Sequence, residues 1–254
     1  MAEPIAPRTR SAALFDVDRT LLPGSALFPL AAELARGGLI PRWLLPLLAL
    51  DHLRYVRYGS ERPAALARAR RASLRVVAGR RRDDVLALAA RVVERVARPR
   101  LYPQALALIE AHRDAGHLVI LASSGPQDYV EILAEVIGAD GALGTRAEVA
   151  EGVYTGRLIG DPAHGPEKAS RVWSLAVERR IHLRSSIAYS DSISDLPLLE
   201  LVGNPVAVNP SRALARVARS RDWPILRFPA PSRAGPSPAE ILEDVPLLDR
   251  PGIG

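Results

Sequence analysis

Five short apolar runs, LFDVD, HLVILAS, SIAYSD, PVAVN and WPILRF, of which the first four break off at acids, serine or asparagine, leave this chain few possible folds. Each is the length of a strand, and near-continuous apolarity marks a strand buried on both faces, as in a parallel sheet. Helical segments stand among them: PQALALIEAHRDAG closed by Gly116, QDYVEILAEVIG closed by Gly138, PEKASRVWSLAVERR and SDLPLLELVG. Strand and helix in alternation predict an α/β fold with a Rossmann-like parallel sheet and right-handed crossovers. The segment RAEVAEGVYTGRLIG alternates about Glu151-Gly152 and reads as a hairpin.

Residues 25–98 follow a different rhythm. LFPLAAELARGG, PRWLLPLLALDHLRYVRYG, SERPAALARARRASLRVVAG and RDDVLALAARVVERVARP are helical in pattern, the third with Ser60 as a cap and the last stopping at Pro99. Consecutive helices without a strand predict an inserted α-helical bundle. The α/β core then comprises 11–24 and 99–228, and the stretches 1–10 and 229–254 are expected to be poorly ordered tails, the second because it is rich in proline.

With 254 residues, 48% of them apolar, the chain can bury a large core. The absence of cysteine removes disulfides, thiolate nucleophiles and thiolate metal sites. The start, MAEPIAPRTRS, lacks the apolar segment of a signal peptide, and LIPRWLLPLLAL at 39–50 is too short and interrupted to span a bilayer, so a cytoplasmic location is expected. A net charge of +6 and a pI near 10.2 allow anionic partners without choosing one. No aromatics are interleaved with the basic residues to stack bases, which points away from nucleic acid. The basic run from Arg68 to Arg82 reads as a solvated helix face.

In an open parallel sheet, ligands bind at the carboxyl ends of the strands. There the first strand presents Asp16 and Asp18, the second Ser123 and Ser124, and SIAYSD presents Asp191 with Asp195 four residues on. Lys168, the one lysine among 34 basic residues, opens the helix beside the same edge. A chain that uses arginine elsewhere and lysine here needs a compact point charge at that position. Clustered carboxylates repel one another unless a cation lies between them. Oxygen donors without histidine or cysteine favour Mg²⁺, which leaves room for phosphate oxygens. A phosphoryl group would bridge metal and lysine, Asp16 would attack it as nucleophile, and Asp18 would protonate the leaving alcohol and later deprotonate water.

DVDRT at 16–20, Ser123 after a strand, Lys168 in GPEK and DSISD at 191–195 resemble the four motifs of the haloacid dehalogenase superfamily of phosphatases. AEVAEGVYTG, AYSDSISDLPLLELVGNPVAVNP and RDWPILRF are similar to its phosphoserine-phosphatase-like branch, subfamily IB, whose helical cap is inserted after the first motif. The resemblance covers about residues 11–228. It implies Asp16 as nucleophile, Asp18 as acid/base with its backbone carbonyl on the metal, and Asp191 as a metal ligand, so that Asp16, Asp18 and Asp191 hold Mg²⁺. It also implies Ser123 and Lys168 on the phosphoryl oxygens with Ser124 beside them, and Thr20, Ser192 and Asp195 in support. Arg71 resembles a cap arginine that grips a substrate carboxylate, with Arg68, Arg70 and Arg75 as equal candidates. Two departures stand out. Arg19 replaces the usual Gly or Asn, a long cation that either folds into the cap interface or meets the substrate, and Ser25 stands where phosphoserine phosphatases carry a Glu, which points away from phosphoserine.

The expected function is Mg²⁺-dependent hydrolysis of a small phosphorylated metabolite. Trp43 and the Leu-rich segment beside arginines leave open a phosphatase or phosphotransferase acting on lipid phosphates with weak membrane-surface contact. A receiver-like module phosphorylated on Asp is the non-enzymatic alternative, and the Asp-x-Asp spacing, which supplies a proton donor for turnover, argues against it. The oligomeric state is left open.

Overall fold

The structure, a computed structural model, describes residues 10–24, 36 and 63–229. The helices expected before residue 63, with Ser25 and Trp43, lie outside the described residues, as do the side chain of Arg68 and the tails beyond Arg10 and Pro229. Seven α-helices are described: α1 (Pro63–Val77), α2 (Arg82–Val92), α3 (Pro103–Asp114), α4 (Gln127–Ile137), α5 (Pro166–Glu178), α6 (Leu196–Leu201) and α7 (Arg212–Ser220). Eight strands accompany them: β1 (Ala12–Phe15), β2 (Leu118–Pro126), β3 (Gly141–Thr145), β4 (Ala147–Ala150), β5 (Val153–Leu158), β6 (Ile187–Ser190), β7 (Asn204–Val208) and β8 (Ile225–Leu226).

Six strands form one parallel sheet in the order β3-β2-β1-β6-β7-β8. The expected α/β, Rossmann-like core is therefore present. From β1 the chain builds outward through β2 and β3, then returns to lay β6 against the other side of β1. The direction of growth reverses beside β1, which opens a crevice at its carboxyl end.

Both faces of the sheet are covered, and the period-2 alternation of β1 divides its residues between them. Ala13, Phe15 and Val17 join α3, α4 and Val92-Val93 in one apolar cluster. Ala12 and Leu14 join α5, α6 and α7 in the other. A one-residue slip would exchange these sets, so the register that places Phe15 opposite Leu121 and Tyr189 is firmly specified. The ring of Phe15 stacks on that of Tyr189 at 4.5 Å.

Three features depart from the sequence expectation. β3, GALGT, has two glycines and no alternation, yet it pairs with β2 as the sheet edge. Helix α7 forms from RALARVARS, capped by the Ser211 side chain, and buries Leu214, Ala215 and Ala218. The helix expected through Arg98 instead widens at Val93–Ala97 into a π turn, with the Arg98 N–H on the Val93 carbonyl, and Pro99 has no N–H to extend it.

The hairpin forms as predicted, with positive φ at both Glu151 (50°) and Gly152 (76°), as a type I′ turn requires. It also receives the chain between α1 and α2. The Gly79 N–H bonds the Tyr154 carbonyl at 2.8 Å, the Tyr154 N–H bonds the Arg80 carbonyl at 2.9 Å, and the Arg82 N–H bonds the Gly152 carbonyl at 2.8 Å. At Gly156 a Cβ would come within 2.9 Å of the Ala78 side chain, so glycine there lets α1 lie close on β5. Among the described residues, no helix is long and apolar enough to cross a membrane.

Behind the first strand lies a buried polar chain. His112 Nε2 pairs with the Tyr189 hydroxyl at 2.7 Å, and its Nδ1 with His117 Nδ1 at 2.9 Å. Burial, reinforced by His117, pushes His112 down to about 3. Below pH 6.5 the unfolded chain therefore takes up a proton that the folded one refuses, and stability falls as pH drops toward 3. Replacing His112 with Leu should lower stability at pH 7, by leaving the Tyr189 hydroxyl without its partner. It should also flatten the dependence between pH 6 and 5 by up to about 1.4 kcal/mol per pH unit. Urea unfolding across that range measures both effects, and an unchanged slope would contradict a neutral His112.

Candidate active site

The carboxyl ends of β1, β2 and β6 meet the start of α5, and the acids and the lysine named from the sequence gather there. Asp16 follows β1 directly and is tied into the sheet by its N–H to the Tyr189 carbonyl at 2.9 Å. The chain then folds sharply, with the N–H groups of Leu21 and Leu22 on the Val17 carbonyl at 2.9 and 3.2 Å. Arg19 lies in the left-handed region at φ 64°, and its carbonyl accepts from Asn209 Nδ2 at 3.1 Å. The loop is thereby pinned from the end of β7.

Lys168, only 3% exposed, lies between two acids. Its Nζ is 2.8 Å from Asp16 Oδ1 and 2.8 Å from Asp195, whose Oδ2 also accepts from the Ser190 hydroxyl at 2.7 Å. Asp195 sits at the N-terminus of α6 but makes no side-chain cap bond there, so its carboxylate serves the lysine. Burial works against the ammonium, but Asp16 and Asp195 outweigh it and hold Lys168 above the ordinary lysine range. Burial raises the Asp16 carboxyl; Lys168 opposes this, while Asp195 and Asp18 add to the rise.

Arg19 Nε is 3.2 Å from Asp191 Oδ2. The Asp191 main chain is held in turn by the Ser211 N–H on its carbonyl at 2.8 Å. Ser123 is buried, and its hydroxyl accepts from the Gly125 N–H at 3.1 Å, which leaves the hydroxyl proton available to a ligand. The Ser124 carbonyl accepts from the Thr145 hydroxyl. Ser192 caps the turn before α6 and pairs with Ser194. The Thr20 hydroxyl is buried without a hydrogen-bond partner among the described residues. Asp18 is half-buried and close enough to Asp16 to raise it. Arg71 stands apart: it is exposed on α1, and among the described residues no contact joins it to this group. Arg70 is half-buried and Arg75 exposed on the same helix.

Among the described residues, the carboxylates of Asp16, Asp191 and Asp195 are paired with the side-chain cations Lys168 and Arg19, and Asp18 adds a fourth acid beside Asp16. That excess of negative charge, with oxygen donors alone, fits a hard divalent cation. No three acidic or histidine side chains form a metal cage among the described residues. A cation here would therefore draw on two carboxylates and a backbone carbonyl rather than on side chains alone. At the amino ends of β6 and β7, a separate cavity of about 560 Å³ is lined by Trp173, Val177, Leu183 and Val202 and lies away from this chemistry.

Sequence reasoning missed Ser190, Asn209, Tyr102 and Tyr129. Ser190 and Asn209 follow the strand-end rule that found the acids, and Asn209 is also marked by φ 45°. Tyr129 lies in the field of Asp18, and Tyr102 in those of Arg19 and Asp191, contacts that no local spacing announces.

Comparison with known proteins agrees with this geometry. The model of the haloacid dehalogenase-like hydrolase family matches residues 13–200. Phosphoserine phosphatase SerB1 of Mycobacterium tuberculosis is 36% identical over 219 residues, covering 86% of this chain and 71% of that protein. A protein of unknown function from Bordetella pertussis Tohama I superposes with a TM-score of 0.75 at 31% identity, over 86% of this chain and 99% of that one. A phospho-aspartyl intermediate analogue of phosphoserine phosphatase shares the fold with a TM-score of 0.63 at 18% identity, over 94% of this chain and all of its own.

Removing Lys168 should expose how far the site depends on it. Lys168→Met leaves Asp16 and Asp195 buried without their shared cation and should cost about 3–5 kcal/mol in urea unfolding without added metal. Combining it with Asp195→Leu should recover part of that loss, whereas strictly additive losses would show that the two are not coupled.

Proposed function

The chain belongs to the haloacid dehalogenase-like hydrolases and is a phosphatase of the phosphoserine-phosphatase-like kind, and from that premise we propose that it hydrolyses a small phosphorylated metabolite through a phosphorylated Asp16. The observation that supports this reading is the buried Asp16–Lys168–Asp195 group at the mouth of β1, β2 and β6. Lys168 engages one oxygen of Asp16, which leaves Oδ2 to attack phosphorus. The bond from phosphorus to the substrate's oxygen breaks as the new one forms, and Asp18 gives its proton to the departing alcohol. Asp18, now ionised, takes a proton from water, which attacks the acyl phosphate and releases inorganic phosphate and free Asp16.

Lys168, whose ammonium faces Asp16 and Asp195, and the Ser123 hydroxyl would hold the phosphoryl oxygens. Asp16, Asp191 and the Asp18 carbonyl would hold Mg²⁺, which neutralises charge on the phosphoryl oxygens when bound. The resemblance assigns residues 25–98 to a cap that sets specificity, and Ser25 favours a substrate other than phosphoserine. The core fixes only the phosphoryl group, so an alcohol could also replace water as acceptor; hydrolysis is the reading preferred here.

Release of phosphate from an aryl phosphate should stop on chelation and return with Mg²⁺. It should vanish in Asp16→Asn and fall about 10²–10⁴-fold in Asp18→Asn. Phosphate release that survives Asp16→Asn would reject Asp16 as nucleophile. A panel of phosphorylated amino acids, sugars, nucleotides, choline and ethanolamine phosphates and lysophospholipids, assayed kinetically, then identifies the substrate class.

A further inference from the structure

The reading above assigns Asp191 to a metal, yet its carboxylate already has a cation from the chain itself. We propose that Arg19 is a tethered competitor for that metal. Its guanidinium holds Asp191 while no divalent cation is bound and must release it when one enters. The inference rests on Asp191 being a metal ligand, and it concerns how strongly and under what condition the metal is held.

Three observations converge on Arg19. Its Nε lies 3.2 Å from Asp191 Oδ2, with the two side chains 22% and 5% exposed, so solvent screens the pair only in part. Its backbone adopts φ 64°, a conformation that glycine enters freely and arginine does not. That backbone is fixed from both sides, by the Arg19 N–H on the Gly24 carbonyl at 3.3 Å and by Asn209 on the Arg19 carbonyl. A strained, pinned main chain therefore launches a long and permanently charged side chain at one particular carboxylate.

The pairing of charges gives this contact its consequence. Among the described residues, Lys168 lies between Asp16 and Asp195 while Arg19 faces Asp191, so Arg19 places positive charge beside a carboxylate only 5% exposed. A divalent ion approaching Asp191 must displace the guanidinium before it gains the carboxylate, and its affinity is lowered by the lost pair. The side chain keeps a path outward because it is the more exposed partner. Once released, it stays anchored at the mouth beside the incoming phosphate, one of the two placements that the sequence leaves open for Arg19. Metal and substrate binding are then coupled, since the anion gives the displaced guanidinium a new partner.

Titration calorimetry with MgCl₂ alone, without substrate, tests this on the wild type, Arg19→Gly and Arg19→Gln. Glycine removes both charge and backbone strain, whereas glutamine removes the charge and keeps the strain. Both variants should bind Mg²⁺ about tenfold more tightly than the wild type, and both should gain more in melting temperature from saturating Mg²⁺. Unchanged affinity in Arg19→Gln, or tightening in the glycine variant alone, would overturn competition by charge. Asp191→Asn separates the two levels. If it loses Mg²⁺ binding while Arg19→Gln equals the wild type, only the Arg19 proposal fails. If every protein binds equally, or none binds, the assignment of Asp191 to metal fails and carries the proposal with it.

Discussion

The buried ammonium of Lys168 is the contact around which this molecule is organised. Three charged groups out of water are stable only together, because each alone would carry a desolvation penalty of several kcal/mol. Asp16 comes from the end of β1, Asp195 from the turn after β6, and Lys168 from the first turn of α5. They meet only if β1 and β6 are neighbours in register and α5 packs its Ala169, Val172 and Ala176 against the sheet. The electrostatic group and the apolar core thus require the same arrangement. A guanidinium would not replace the ammonium there, since it is wide, planar and suited to a fork rather than to a narrow space between carboxylates on different elements. This accounts for a lysine at 168 in a chain that otherwise uses arginine.

Precision at that point depends on parts of the fold with no reactive groups. The stack of Phe15 on Tyr189 and the Asp16 N–H on the Tyr189 carbonyl fix the direction in which β1 delivers its acid. Tyr189 is itself tied to His112 on α3, a neutral imidazole sealed under the sheet. Asn209 then holds the loop that carries Arg19 and bonds the Phe228 N–H with its other end, so the last strand region braces the first. These contacts restrict where the Asp16 carboxylate can stand, as the proposed role of nucleophile would require.

Much of this was legible in the sequence because it obeys local rules. Asp16, Asp18, Ser123 and Asp191 follow from reading what stands at the carboxyl end of each apolar run, and Lys168 from being the one lysine of the chain, at the start of a helix. Gly138 marked its helix end and Gly152 its turn, where positive φ comes freely to glycine. What escaped was set by distant partners. GALGT becomes a strand because β2 offers it an open edge, not because of its composition. The bonds of His112 to Tyr189 and of Asn209 to Arg19 join residues 77 and 190 positions apart, beyond any periodicity. The pairing of Arg19 with Asp191 was likewise hidden, although the oddity of an arginine at that place was not.

The described part of the insert is joined to the core at a point with chemical meaning. Arg82, at the start of α2, bonds Asp128 Oδ1 through Nε at 3.1 Å and Nη2 at 2.5 Å, and the Tyr154 hydroxyl of the hairpin donates to the same carboxylate. Asp128 lies in the first turn of α4, three residues after Gly125, whose N–H orients the Ser123 hydroxyl. A shift of α2 would therefore pull on Asp128 and, through the start of α4, on the end of β2 that carries Ser123. α2 and the β2–α4 connection are therefore linked through Asp128 as well as along the chain. Asp128 thus ties the described start of α2 and the hairpin to the first turn of α4, close in sequence to the residues that follow Ser123.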